Sequence, residues 1–288
     1  MNTICDVFGR TRQAVYKRLK QSDVLTMQQA IVIKMIEAVR QDMPRVGGRK
    51  LFHLLKEPLQ EHGIDIGRDK LFTIMSEYGL LVRRRKRRKT ITTDSNHPFF
   101  KYPNLIRTME VTYPNELWVS DITYIRLIND YCYLNLITDA YSRKIVGYCL
   151  WKNLSREGTI KALEMALSEN PKKLNQPLIH HSDRGLQYCS QEYTGLLDFY
   201  GVAISMTEHS DPYENAIAER VNGILKSEFH IDKGFKTFEL AKEAIDKGIY
   251  IYNEKRPHSS CNYLTPNQAH KITGRLIKKW KTNVRETV

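Results

Sequence analysis

No apolar run in the 288 residues approaches the roughly 20 that a membrane span requires. Residues 1–6 carry neither a charged n-region nor the start of an apolar h-region, so no secretory signal is expected. Cysteine is sparse and unpatterned. Cys5, Cys132, Cys149, Cys189 and Cys261 are odd in number, widely scattered and free of any C-x-x-C pair. That argues against a disulfide framework or a cysteine zinc site and for reduced core or surface thiols in a cytosolic protein. Hydrophobic residues make up 41% of the chain, enough to build a core, and the length allows one large domain with a smaller one or two to three small ones.

The net charge of +13 is unevenly distributed: +11 over residues 1–90, −3 over 91–270 and +5 over 271–288. Basic ends attract a polyanion, whereas an acidic centre repels one unless metal ions intervene. The asymmetry suits a DNA-processing enzyme with separate binding modules; a ribosome- or membrane-associated basic tail is the bland alternative.

Near the N-terminus, Thr11 is a suitable N-cap for a helix over Arg12–Leu19, which brings Arg12, Gln13, Tyr16 and Lys17 within reach of a groove. Residues 1–24 read as a helix-turn-helix segment, or else as a short amphipathic terminal helix. Three further helices are expected over 25–82, from the apolar spacings of Val32–Val39, Leu51–Leu59 and Leu71–Tyr78, with glycine turns between them. Arg68 and Lys70 open the last and are DNA-binding candidates. Residues 83–89, Arg83-Arg84-Arg85-Lys86-Arg87-Arg88-Lys89, cannot pack together in a core and read as an exposed, DNA-directed tether, or as a solvated linker. Pro98, Pro103 and Pro114 extend that connector to residue 114.

From Glu116 the pattern turns to strands. Leu117–Leu127, Tyr131–Thr138 and Lys144–Trp151 are consecutive β-rich runs, followed by helix Thr159–Leu167, strand Pro177–His181, helix Gln191–Tyr200 and strand Ala203–Met206. A long helix over Tyr213–Lys226 and another over Phe238–Tyr252 complete the catalytic-core region, 115–272, with a basic tail at 273–288. This order describes an α/β fold of ribonuclease-H-like type, a mixed five-stranded sheet with flanking helices, behind an all-α front end.

Three acids stand out within it. Asp121 lies in the first strand, Asp183 follows the fourth, and Glu219 lies in the late helix, 35 residues separating the second from the third. Lone carboxylates in apolar surroundings are costly unless their charge is compensated. Three on different elements can share that compensation by holding divalent ions, and a pair of ions suits in-line phosphoryl transfer. Asn222 and Lys226, at i+3 and i+7 from Glu219, share its helix face. Lys226 is expected at the DNA backbone, or is a surface lysine, and Asn222 beside it is a further DNA-binding candidate; Arg184 neutralises a phosphate or pairs locally. Asp139 is a weaker fourth acid, since strand-end aspartates usually serve turns. His180 and His181 lack a partner at ligand spacing, which favours a structural role over zinc. His258 contacts DNA or caps the fold; the pattern does not choose.

The strings Trp118–Tyr124, His181–Tyr188, Glu214–Asn222 and Tyr252–Ser260 together resemble bacterial insertion-sequence transposases with a retroviral-integrase-like DDE core, and the likeness runs from about residue 3 to 272. The resemblance implies binding to double-stranded DNA, both the terminal inverted repeats of the element and a target. It implies cleavage and strand transfer with two Mg²⁺ or Mn²⁺ ions on Asp121, Asp183 and Glu219, and an assembly of several copies on DNA. In such elements the longer of two overlapping frames carries the core, so an upstream-frame partner protein is a further expectation. Two departures are visible. The loop before Glu219 carries acidic Glu208 and Asp211 where relatives are often basic, and Cys261 stands where leucine is common. The competing readings are a non-catalytic helix-turn-helix regulator and a ribonuclease-H-type nuclease or resolvase.

Overall fold

The computed structural model describes residues 11–82, 98–169, 177–208 and 215–276. The chain divides into two compact units, Met1–Arg84 and Arg85–Val288. Among the described residues, no helix is long and apolar enough to cross a membrane.

The first unit holds α1 (Arg12–Asp42), α2 (Gly48–Glu61) and α3 (Arg68–Glu77). Val32, Ile36, Leu51, Leu55, Leu71, Ile74 and Met75 are all at most 2% exposed and form its core. Arg40 Nη2 donates to Leu80 O at 2.6 Å and closes the end of the unit. Glycines in the left-handed region, Gly63 and Gly79, terminate α2 and α3, with Ile64 N and Leu80 N bonding back to Leu59 O and Met75 O. Two expected helices prove to be one. Residues 12–42 contain neither glycine nor proline, so nothing in the backbone interrupts α1 between the Arg12 segment and the Val32 stripe. The first half of the expected helix-turn-helix falls in residues 1–10, outside the described residues, and so does the basic run 83–89.

The second unit is built on β1 (Leu117–Arg126), β2 (Tyr131–Asp139), β3 (Ile145–Trp151), β4 (Ile179–Ser182) and β5 (Ala203–Met206), in the order β3-β2-β1-β4-β5. The first three form an antiparallel meander; β4 runs parallel to β1, and β5 parallel to β4. Helices α4 (Arg156–Glu169), α5 (Gln191–Phe199), α6 (Ala216–Glu228), α7 (Phe238–Glu254) and the short α8 (Pro266–Ala269) surround it. Alternation along β1 decides the layers. Trp118 and Ile122 face a cluster with Leu163, Ala166, Tyr193 and Leu197 of α4 and α5. Leu117 and Val119 meet Ala218 of α6, and Ile125 joins Val221, Ile224 and Leu225 of α6 and Ile245 and Ile249 of α7. Gly147 permits the close approach of α4 to β3: a Cβ there would lie 2.2 Å from Ala162 O.

The expected connector is only partly a connector. Tyr102, Ile106, Met109 and Val111 pack on the core, Leu105 N donates to Ser205 Oγ at 2.9 Å, and Thr112 N donates to Glu116 Oε2 at 2.8 Å. The start of the expected tail also docks, with Gly274 N bonded to Thr112 O and Tyr141 Oη donating to Gly274 O at 2.8 Å. Proline spacing signals an extended backbone and carries no information about what that backbone lies against.

Candidate active site

The acids come together through register. β1 and β4 pair as Leu117↔Ile179, Trp118↔His180 and Val119↔His181. Two residues further along the same register, Asp121 falls beside Asp183, at the end of β4. Neighbouring strands lie about 4.8 Å apart, so the two carboxylates emerge side by side. Asp121 has the parity of Leu117, Val119 and Ile125 and therefore looks toward α6.

Helix α6 presents a polar stripe to that face. Asn215, its N-cap residue, donates from Nδ2 to Ser120 O at 2.9 Å, and Asn222 donates from Nδ2 to Asp121 Oδ2 at 2.7 Å. Asn215, Glu219, Asn222 and Lys226 follow i, i+4, i+7, i+11 spacing, one side of a helix. The two asparagines pin that side along β1, and Glu219 lies between them with its side chain exposed.

Electrostatics agree with this placement. Asp121 is pushed up to about 7, first by burial, then by Asp183, with Glu219 adding to the effect and the Asn222 hydrogen bond opposing it. Burial lowers the Lys226 ammonium from its ordinary value, opposed by Asp121 and Asp232, which puts Lys226 in the same neighbourhood. Asp183 Oδ1 accepts from Gly185 N at 3.0 Å, and a Cβ on Gly185 would stand 3.0 Å from that oxygen, so the loop is shaped around the carboxylate. Among the described residues, no three His, Cys, Asp or Glu side chains are gathered closely enough to hold a metal. The acids share one field, with Asp121 held by Asn222, Asp183 by its own loop, and Glu219 turned to solvent.

The other expected residues divide. Asn222, expected at DNA, is 5% exposed and engages Asp121 instead, because its helix face packs on β1. Arg184 is half-buried beside Asp183. Arg68 bonds its neighbour Asp69 at the surface, Lys70, Gln13 and Lys17 are exposed, and the side chain of Arg12 lies outside the described residues, as do Arg83 to Lys89. Asp139 is a turn residue: fully enclosed, it accepts from Asn115 N, Ser142 N and Ser142 Oγ at 2.6–2.7 Å. His180 is structural too. Ser120 Oγ and Tyr193 Oη both lie within hydrogen-bonding distance of its Nε2, at 2.7 and 2.9 Å, and burial drives the imidazole down to about 3, keeping it neutral. His258 is buried and contacts Ser260 Oγ at 2.6 Å. Asn215 was within reach of sequence reasoning, since it extends the polar stripe by one turn. Tyr188, its hydroxyl raised first by burial and then by Tyr193, Asp183 and Asp121, ends the His181–Tyr188 string but carries no periodic signal of its own, being an aromatic in a loop.

A mixed sheet ordered β3-β2-β1-β4-β5, acids side by side on β1 and after β4, and a third acid on the helix packed across them define a ribonuclease-H-like integrase core. Two integrase core domain family models match residues 111–212 and 200–266. The chain is 35% identical over 268 residues to the insertion element IS600 uncharacterized 31 kDa protein of Shigella sonnei, covering 91% of this chain and 96% of that protein. It is 38% identical over 172 residues to the transposase for insertion sequence element IS904 of Lactococcus lactis, covering 59% and 67%. Against the transposase InsF for insertion sequence IS3A of Escherichia coli it is 33% identical over 156 residues, 54% of each chain. The chain belongs to the insertion-sequence transposases with an integrase core domain. That membership places its core among the polynucleotidyl transferases.

Proposed function

We propose that this transposase binds the terminal inverted repeats of its element in double-stranded DNA, cleaves there and joins the freed end to target DNA, using Asp121, Asp183 and Glu219. The observation that carries the reading is the β1–β4 register that sets Asp121 beside Asp183, with the Glu219 helix face pinned across β1 by Asn222; the raised Asp121 carboxyl agrees with it. Hard oxygen donors on three elements fit Mg²⁺ or Mn²⁺, two ions per site, better than any softer metal. Bound there, such ions would supply Lewis-acid activation and neutralise charge on the attacking and leaving oxygens.

The protein's own groups have separable tasks. Asn222 orients the Asp121 carboxylate, and Gly185 N orients that of Asp183. Glu219, exposed on α6, has the rotamer freedom to close toward them. Lys226 and Arg184 would meet the phosphate backbone. Hydrolysis at an element end frees a 3′-hydroxyl, which then attacks a second phosphodiester. No covalent protein–DNA intermediate is needed. Assembly of several copies on DNA, an upstream-frame partner protein and a cytoplasmic location complete the proposal. The relatives favour neither a non-catalytic regulator nor a simple nuclease.

The test is a labelled duplex bearing the element end, incubated with Mg²⁺. Asp121→Asn, Asp183→Asn and Glu219→Gln should each abolish cleavage and joining while end binding persists. Near-normal turnover by any of the three removes that residue from the mechanism.

A further inference from the structure

Phe100 is 72% exposed, yet it is firmly mounted. Its ring stands edge-on to Tyr102, with centroids 5.0 Å apart, and Tyr102 packs against the core. The backbone that carries the pair is stitched to β5: Met206 N donates to Pro103 O at 3.3 Å, and Leu105 N donates to Ser205 Oγ. Partner numbers fall from 105 to 103 as β5 advances from 205 to 206, so the segment runs antiparallel to β5. Followed backward from Pro103, it passes the C-terminal end of β5. That is the edge at which Asp183 follows β4, since Ser182 pairs with Met206 and Thr207 N bonds to Ser182 O. Lys101 is carried there as well, because Cys189 lies within electrostatic range of Lys101, Arg184 and Asp183 together. Leu186, in the loop after Asp183, adds a second apolar side chain at 48% exposure.

An exposed aromatic ring with Lys101 next to it in the chain, on a segment that passes the strand edge where Asp183 follows β4, has the chemistry of a nucleotide platform. Every base has a π-face, so stacking of this kind tolerates any sequence, and a lysine next to the ring answers the phosphate. Inside a duplex, stacking covers both faces of every base, and at a paired end the outer face is held square to the helix axis; an unpaired, unstacked nucleotide can turn its face onto the ring. We propose that Phe100 and Lys101 form a docking site for an unpaired nucleotide of the DNA being processed, with the base on the ring and its phosphate on the ammonium. The inference rests on the chain being a DNA-processing enzyme and goes beyond it in naming the state of the DNA that the active-site edge accepts.

Fluorescence anisotropy of the full chain in a metal chelator, with a fluorescein-labelled duplex and the same duplex frayed by terminal mismatches, tests it without any chemistry. The wild type should bind the frayed duplex about tenfold more tightly. Phe100→Ala should erase that preference, and Phe100→Trp should retain it. Lys101→Gln should weaken binding and lower the salt slope by about one. A wild type indifferent to fraying, or a preference undiminished in Phe100→Ala, overturns the proposal. So does a Phe100→Ala change confined to self-association, which would make the ring a contact between copies. Because no cleavage is read, failure here is distinct from failure of the acid triad in the turnover assay.

Discussion

Replacing Asp121 with asparagine should make the metal-free protein more stable at alkaline pH while removing its activity. The carboxyl is displaced from 3.8 to about 7 by burial and by its two acidic neighbours. Between those values the native state holds a proton that the unfolded chain has lost, so stability falls as pH rises through the interval and the loss is complete above about pH 8. A displacement of about three pH units, at 1.36 kcal/mol each, sets a ceiling of about 4 kcal/mol. Asp121 keeps some contact with solvent, and its neighbours can relax, so about 2 kcal/mol is the expected penalty. Asparagine removes the charge and keeps an oxygen to accept from Asn222 Nδ2. The variant should therefore match the wild type near pH 4 and melt about 4–8 °C higher above about pH 8, for a unit of this size. Thermal melts by circular dichroism across that range, in chelator, measure the gap directly. Added magnesium should narrow it, by stabilising only the wild type. A variant that melts at or below the wild type at alkaline pH, or a gap that does not change with pH, refutes the account of three acids in one field.

Other outcomes follow from packing and charge. Gly147→Ala drives a methyl into the α4 backbone at Ala162 O, and the overpacking should cost about 1–3 kcal/mol, read as a lowered urea midpoint. Arg256, 1% exposed, donates from Nε and Nη2 to Glu228 at 2.7 and 2.8 Å; Arg256→Ala strands that carboxylate and should cost about 3–5 kcal/mol. If the double variant Arg256→Met with Glu228→Gln does not recover most of the loss, the pair is not the cause. Neutralising residues 83–89 should weaken DNA binding broadly and flatten its dependence on salt; an unchanged slope would make that run a spacer.

Much of this protein was legible in the chain itself. The β-rich run over 117–126 announces a strand, the 3.6-residue stripe through Glu219, Asn222 and Lys226 announces a helix with a polar face, and the three acids stand out by their chemistry. These are local signals, and local physics sets them. Tertiary structure alone decided what each side chain meets. The chain shows Asn222 near Glu219, but only the packing of α6 on β1 turns it onto Asp121, 101 residues away, instead of toward DNA. Asp139 could serve chemistry or a turn until folding enclosed it with Ser142 and Asn115. The segment after Pro98 reads as an extended connector, yet hydrogen bonds spanning about a hundred residues lay it along β5. Periodicity and propensity report the conformation of a few neighbouring residues; the partner of a buried amide or carboxylate is chosen by strand register and helix packing, which only the whole fold specifies.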